Sequence, residues 1–238
     1  MRIRPATPAD LPAVGDVILE AMSVDPEWMP FFPRGARQDQ EYIKFIESIL
    51  KPGLDPKSQD LLVTVAELSD EESHQEGGLI VAVAAWDMSL APVEDQGSCS
   101  VAPEGAVRGG TGGVAALVNA AAQGRTRHFD RYDRCMHLRI MATRPHNQKH
   151  GYAKALCEWG IDAAGRRGMG VTVLTGPRGY ILFSDLGFVD LGPCPVRVGG
   201  GREELVVKAM FLAPERKPRR PSFLGSLFGH VFFGHVSP

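Results

Sequence analysis

Hydrophobic positions along this chain follow two rhythms, one of alternation and one of three-to-four spacing, and their order predicts a mixed α/β domain. Residues 2–4 read as a short first strand. Thr7-Pro8-Ala9-Asp10 then carries the signals of a helix start: a threonine able to cap, a proline suited to the first turn and an aspartate able to reach back. Leu11, Val14, Val17, Ile18 and Ala21 supply that helix's buried stripe. The proline-broken segment 25–33 is followed by a second predicted helix over 37–50, with Tyr42, Phe45, Ile46 and Ile49 inward. Leu61–Leu68 and Gly78–Trp86 read as paired strands around a polar, acidic connection at 69–77. Periodicity is lost over 87–112, read as a flexible insertion; 114–123 reads as a short helix and 125–134 as a charged connector.

The second half is more regular. Met136–Thr143 is apolar at all but a few positions and reads as a central strand. An amphipathic helix follows, with Tyr152, Ala155, Leu156, Trp159 and Ala163 on one stripe. Then come a strand at 171–174, a turn at 176–179, a short helix ending in Leu186-Gly187-Phe188, and a last strand over 203–212. The predicted organisation is one α/β domain over 1–213, with 87–134 as insertion and connector inside it, and a tail over 214–238. The tail joins a basic, proline-rich run, 216–221, to a phenylalanine-rich stretch with helical spacing. Two readings of it stand: contact with a membrane surface, or packing against the domain or a second copy of the chain, as in a homodimer.

Composition narrows the function. A chain of 238 residues, 44% hydrophobic and 23% charged, can bury a sizeable core. A formal charge of −2 argues against nucleic acid as a partner. Cys99, Cys135, Cys157 and Cys194 show no metal-ligand spacing, so no metal is expected and a reducing, cytoplasmic location is. No apolar run reaches the length of a transmembrane helix.

The candidate chemistry lies between the central strand and its helix, in Gln148-Lys149-His150-Gly151-Tyr152-Ala153. A strand, a short loop with small residues and a helix N-terminus leave unpaired backbone N–H groups beside the positive end of the helix dipole, a cradle for phosphate. Gly151 and Ala153 allow close approach, while Lys149 and His150 add positive potential.

The order Gln-x-x-Gly-x-Ala resembles the acyl-CoA pyrophosphate loop of the GNAT acetyltransferase superfamily, and Leu186-Gly187-Phe188 resembles a second hallmark of that family. The Arg4-Pro5-Ala6-Thr7-x-x-Asp10 opening is also similar to the start of many members. The resemblance is closest over 136–192 and extends over 1–212. It implies a mostly antiparallel mixed sheet, splayed at the cofactor site and flanked by helices, with acetyl-CoA as acyl donor and an amine as acceptor. It implies that backbone groups of Met141, Ala142 and Thr143 pair with the pantetheine arm. It puts His137 where several relatives carry a catalytic glutamate, as a candidate base or else a packed strand residue. The family's Tyr-x-x-Leu-Gly-Phe corner reads Phe183-Ser184-Asp185-Leu186-Gly187-Phe188 here, so Tyr180, or alternatively Ser184, is left as candidate acid. Asp25, Trp28, Phe31 and Phe32 lie where acceptor loops of the family sit, with Glu27 a second carboxylate able to hold an ammonium; core or lid packing is the other reading. The layout is similar to that of puromycin-modifying N-acetyltransferases, which implies a small-molecule amine as partner. The readings kept beside it are a protein or peptide acetyltransferase, a non-catalytic acyl-CoA-binding module and other acyl-CoA chemistry such as decarboxylation.

Overall fold

The computed structural model describes residues 1–55, 57–58, 60–73, 78–88, 112–132, 134–198 and 203–214. Most of the 87–112 insertion and the tail beyond Pro214 therefore lie outside the described residues, as do the membrane-surface and homodimer readings attached to that tail.

The described strands are β1 (Arg2–Pro5), β2 (Leu61–Leu68), β3 (Leu79–Asp87), β4 (Cys135–Thr143), β5 (Gly170–Thr175), β6 (Val189–Val198) and β7 (Glu203–Leu212). They form a seven-stranded sheet in the order β1-β2-β3-β4-β5-β7-β6. Every pairing is antiparallel except β4 with β5, which needs a crossover, and the helix α5 (Tyr152–Arg166) supplies it. Helices α1 (Leu11–Val24), α2 (Gln40–Leu50) and α4 (Gly112–Phe129) gather a core on one face, around Val14, Ile18, Phe45, Val63 and Val83. Helices α5 and α6 (Pro177–Asp185) cover the other, around Trp86, Met136, Leu156 and Phe183. The short acidic helix α3 (Asp70–Ser73) sits in the β2–β3 connection.

Several expectations shift. The second helix starts at Gln40 rather than 37, because Asp39 caps it through a hydrogen bond accepted from the Glu41 N–H. Helix α4 continues to Phe129, well past the predicted end, and so carries Arg125, which donates to Asp87 at 2.7 Å. On α5 the buried stripe is Leu156, Cys157, Gly160, Ala163 and Ala164, so Trp159 and Ala155 stay half-buried and the face is rotated from the predicted one. The cause is Trp86. Its ring is fully buried, its Nε1 donates to Thr64 Oγ1 at 3.2 Å, and it takes the space beside Gly160. A small residue at the helix–sheet contact, not the largest apolar one, decides which side of α5 faces inward.

Two charged networks fix the frame. Arg4 bridges Asp10 at 2.7 Å and Glu67 at 2.9 Å, holding β1, the first turn and β2 together. Arg144, just beyond β4, donates to the Ile80 carbonyl at 3.0 Å and pairs with Asp16 at 3.0 Å and with Glu20, locking α1 over the ends of β3 and β4.

An exposed helix glycine changed to alanine should gain about 1 kcal/mol. At Gly160 an added Cβ overlaps ring atoms of Trp86, so Gly160→Ala is expected to lose about 1–3 kcal/mol instead. Urea unfolding checks this: the midpoint should fall with an unchanged m value.

Candidate functional site

Strands β4 and β5 pair only from Cys135↔Gly170 to Leu138↔Val173. Beyond that point β5 runs on with β7 through Thr175, while β4 stays with β3 through Thr143. The edge of β4 from Arg139 to Thr143 that faced β5 is thus without a strand partner. The parting coincides with a β-bulge: Trp86 pairs with Leu138 and Ala85 with Ile140, which leaves Arg139 as the extra residue. The bulge also reverses the strand's parity. Met136 and Leu138 face the α5 side, whereas Ile140 and Ala142 face α1 and α2. Without the extra residue all four would share one face.

The open edge leads through a 3-10 turn at Pro145–Asn147 to the loop before α5. Lys149 has φ 65° and Gly151, the N-cap residue, φ 85°. A Cβ at Gly151 would meet no protein atom within 4 Å, so within the fold it is the left-handed backbone that calls for glycine here. Gln148 Nε2 donates to the Thr143 carbonyl at 3.3 Å, and the His150 ring lies 2.8 Å from the Gln148 carbonyl and stacks on Tyr152. The first hydrogen bond of the helix runs from the Ala155 N–H to the Gly151 carbonyl. The N–H groups of Tyr152, Ala153 and Lys154 precede it and have no intrahelical acceptor. The loop is exposed. This is an anion cradle by geometry.

Both the edge and the loop open on a cavity of about 1360 Å³. Of the predicted site residues it brings together Met141, Ala142, Thr143, Gln148, Lys149, Gly151, Tyr152 and Ala153 with His137, Asp25, Trp28 and Phe32. His150 neighbours the cavity through its ring contact with Tyr152. Phe31 is 2% exposed and belongs to the core behind the wall. Tyr180 is not among the lining residues; Lys208 Nζ lies 6.0 Å over its ring. Phe183, at the family's tyrosine position, does line the cavity and packs edge-on against Phe188.

His137 is 6% exposed. Its Nδ1 lies 2.9 Å from Thr172 Oγ1 and its ring packs against Phe129. Across the β3–β4 ladder it faces Asp87, which accepts a hydrogen bond from Arg125 at 2.7 Å. Burial, reinforced by the Arg125 cation and only partly opposed by Asp87, holds the imidazole pKa well below its ordinary value. The ring is neutral at pH 7. Cys157 behaves oppositely: buried against Met141 Sδ, its thiol is pushed up to about 12 and stays protonated. At the mouth Asp25 pairs with Arg178 at 2.9 Å, and Glu27 packs on Gly176 and accepts the Arg178 backbone N–H.

Sequence reasoning missed Asp87, Arg125 and the apolar face of α4. Asp87 sits on the last residue of β3, where a turn aspartate is commonplace, and Arg125 lay in a segment without apolar rhythm. Among the described residues no group of three potential metal ligands occurs, and no helix is long and apolar enough to cross a membrane.

No protein-family model and no curated protein matches the chain by sequence. Solved structures do. A polyamine N-acetyltransferase of Drosophila melanogaster that forms N-acetylagmatine superposes with a TM-score of 0.60 at 14% identity, over 89% of this chain and 99% of that one. An arylalkylamine N-acetyltransferase of the mosquito Aedes aegypti gives 0.59 at 16% identity, over 89% and 86%. A histone-acetyltransferase-related acetyltransferase of Corynebacterium glutamicum gives 0.52 at 22% identity, over 91% and 97%. The chain has the GNAT N-acetyltransferase fold, and at these identities the likeness is one of fold.

The buried imidazole has a consequence for stability. Unfolded, it takes a proton near pH 6.5; folded, it resists one, so the unfolded state binds the extra proton and stability falls as pH drops below about 6.5. In denaturant titrations between pH 7.5 and 5, His137→Asn should show a shallower pH slope than wild type, by up to about 1.4 kcal/mol per pH unit. Equal slopes would mean that His137 protonates as easily folded as unfolded.

Proposed function

We propose that this chain is an acetyl-CoA-dependent N-acetyltransferase acting on the primary amine of a small molecule. The observation that carries the proposal is the continuity of one cavity: an unpaired strand edge, an anion cradle and a buried neutral imidazole all open on it. The residues suit the donor. The cradle, with Lys149, matches a pyrophosphate, and the free edge at Met141, Ala142 and Thr143 matches the amide-bearing pantetheine arm as a strand partner would. Acetyl-CoA, when bound, supplies an acyl group already activated as a thioester.

The chain's own residues then position and deprotonate. His137, neutral at working pH and oriented by Thr172 at its Nδ1, is a lining group able to accept the acceptor's ammonium proton, which its lowered pKa makes it pass on rather than retain. Phe183 donates no proton and Tyr180 lies off the cavity, so neither the family's tyrosine position nor its predicted substitute supplies an acid to the leaving thiolate. Cys157, protonated and outside the cavity lining, offers no route through an acyl-cysteine, which favours direct transfer to the amine. Helix α4 covers one side of the acceptor space, which favours a small molecule over a protein or peptide. Phe183 supports a second reading, a non-catalytic acyl-CoA-binding module.

Release of free CoA thiol with a panel of primary amines tests the proposal. Amine-dependent release is expected, and His137→Ala should lower kcat by about 10²–10⁴-fold while leaving acetyl-CoA binding intact. Binding at micromolar strength without release would select the second reading. Loss of a left-handed residue at the cradle, as in Gly151→Val, should weaken acetyl-CoA binding, measured by calorimetry, without lowering kcat at saturation.

A further inference from the structure

The acceptor half of the cavity has an uneven chemistry. Its inner walls come from three helices: Ile18 on α1, Phe45 and Ile46 on α2, and Val114, Leu117 and Val118 on α4. None of these carries a polar side-chain atom. Among the described lining residues the carboxylates lie on β3, on the segment after α1 and on α6, outside these three walls. On one side His137, Asp87 and Arg125 mark the proposed site of proton removal, with Asp87 and Arg125 already paired. On the other, both mouth carboxylates are engaged by one residue, Asp25 by the Arg178 guanidinium and Glu27 by the Arg178 backbone N–H. Burial and the nearby Asp25 raise the Glu27 pKa, which weakens it further as an anion. Asp185, the remaining lining carboxylate, is exposed on the last turn of α6.

An acceptor with a second ammonium would have to bury that charge against Ile18, Ile46 and Leu117, on helices that contribute no carboxylate to the lining among the described residues. Burying an unpaired cation in an apolar wall is strongly unfavourable, whereas an apolar body gains with each carbon it buries there. We infer that the acceptor is a monoamine carrying a bulky apolar body, alkyl or aryl, seated between α1, α2 and α4, and that polycationic amines are poor acceptors. This rests on the N-acetyltransferase reading and names the substrate class of the same site. It also assigns a role to α4: Val114, Leu117 and Val118 are specificity-determining residues that form the wall opposite α1 and α2.

The test is a matched series of primary amines: ethylamine, butylamine, hexylamine and 2-phenylethylamine against putrescine and agmatine, with acetyl-CoA as donor. The kcat/KM value is expected to rise about three- to fourfold per buried methylene and to fall at least tenfold for the two dications relative to hexylamine. Leu117→Asp should collapse the ratio of 2-phenylethylamine to ethylamine, and Leu117→Ala, a milder change, should reduce it by about tenfold. Equal rates across the series, or a preference for putrescine or agmatine, would overturn the inference. So would a preference for hexanoyl-CoA over acetyl-CoA with no dependence on amine size, because the apolar compartment would then take the donor's acyl chain. If no amine gives thiol release, the transferase reading fails by itself. Calorimetric binding then decides the class: hexylamine or 2-phenylethylamine binding at least tenfold tighter than putrescine upholds it, and no such preference overturns it.

Discussion

Everything in the site follows from the place where two parallel strands stop pairing. The β4–β5 ladder ends at Leu138 and Val173, one residue before the bulge at Arg139, and from there each strand stays with its other neighbour. Backbone N–H and C=O groups are strong hydrogen-bonding groups, and a strand edge left open inside a fold must meet water or a ligand. The opening persists because the two sides are held independently. Arg144 ties the end of β4 to the Ile80 carbonyl and to α1, while β5 continues its register with β7 from Val171 to Thr175. The cleft is therefore a built feature, kept apart by interactions on its outer flanks.

The bulge has a second effect, on side chains. By reversing parity it lets β4 deliver His137 before the bulge and Ile140 and Ala142 after it to the same α1-side face, with Met141 turned toward α5. A strand of unbroken alternation would separate the imidazole from part of the wall it now shares. The sheet's other face depends on close contact between Trp86 and Gly160, which seats α5 and hence the loop at its N-terminus. Cradle and imidazole are thus set by different contacts on opposite faces of one strand, and the cavity is where they meet.

Electrostatics divides the site in the same way. The loop before α5 is exposed and carries Lys149 beside the positive end of the helix, which suits the anion proposed for it. The imidazole is buried and kept neutral, and the charges around it are already satisfied within the protein. Between them lies an apolar chamber whose walls were the least evident part of the site, since two of its three helices present ordinary core residues and the third follows a segment of little pattern.

Much of this was legible in the chain. Apolar runs of strand length over 61–68 and 78–86, the helical stripe beginning at Leu11, and the strand-loop-helix around Gln148 recorded the order of elements, because burial selects apolar residues along each strand and on one stripe of each helix. The loop's candidate chemistry was legible because a strand, a short loop and an amphipathic helix leave unpaired N–H groups at the helix start; that Gly151 there is left-handed, while Gly176 before α6 is extended, was not. What could not be read were relations between segments far apart in sequence. The bulge at Arg139 hides in a strand that is apolar on both faces, where parity leaves no trace. The choice of Gly160 over Trp159 as the inward side of α5 depends on Trp86, and the engagement of Asp25 depends on Arg178. Periodicity is a local consequence of burial and belongs to the sequence; which buried group meets which, and which charge is left unanswered, arises only when the sheet brings distant segments together.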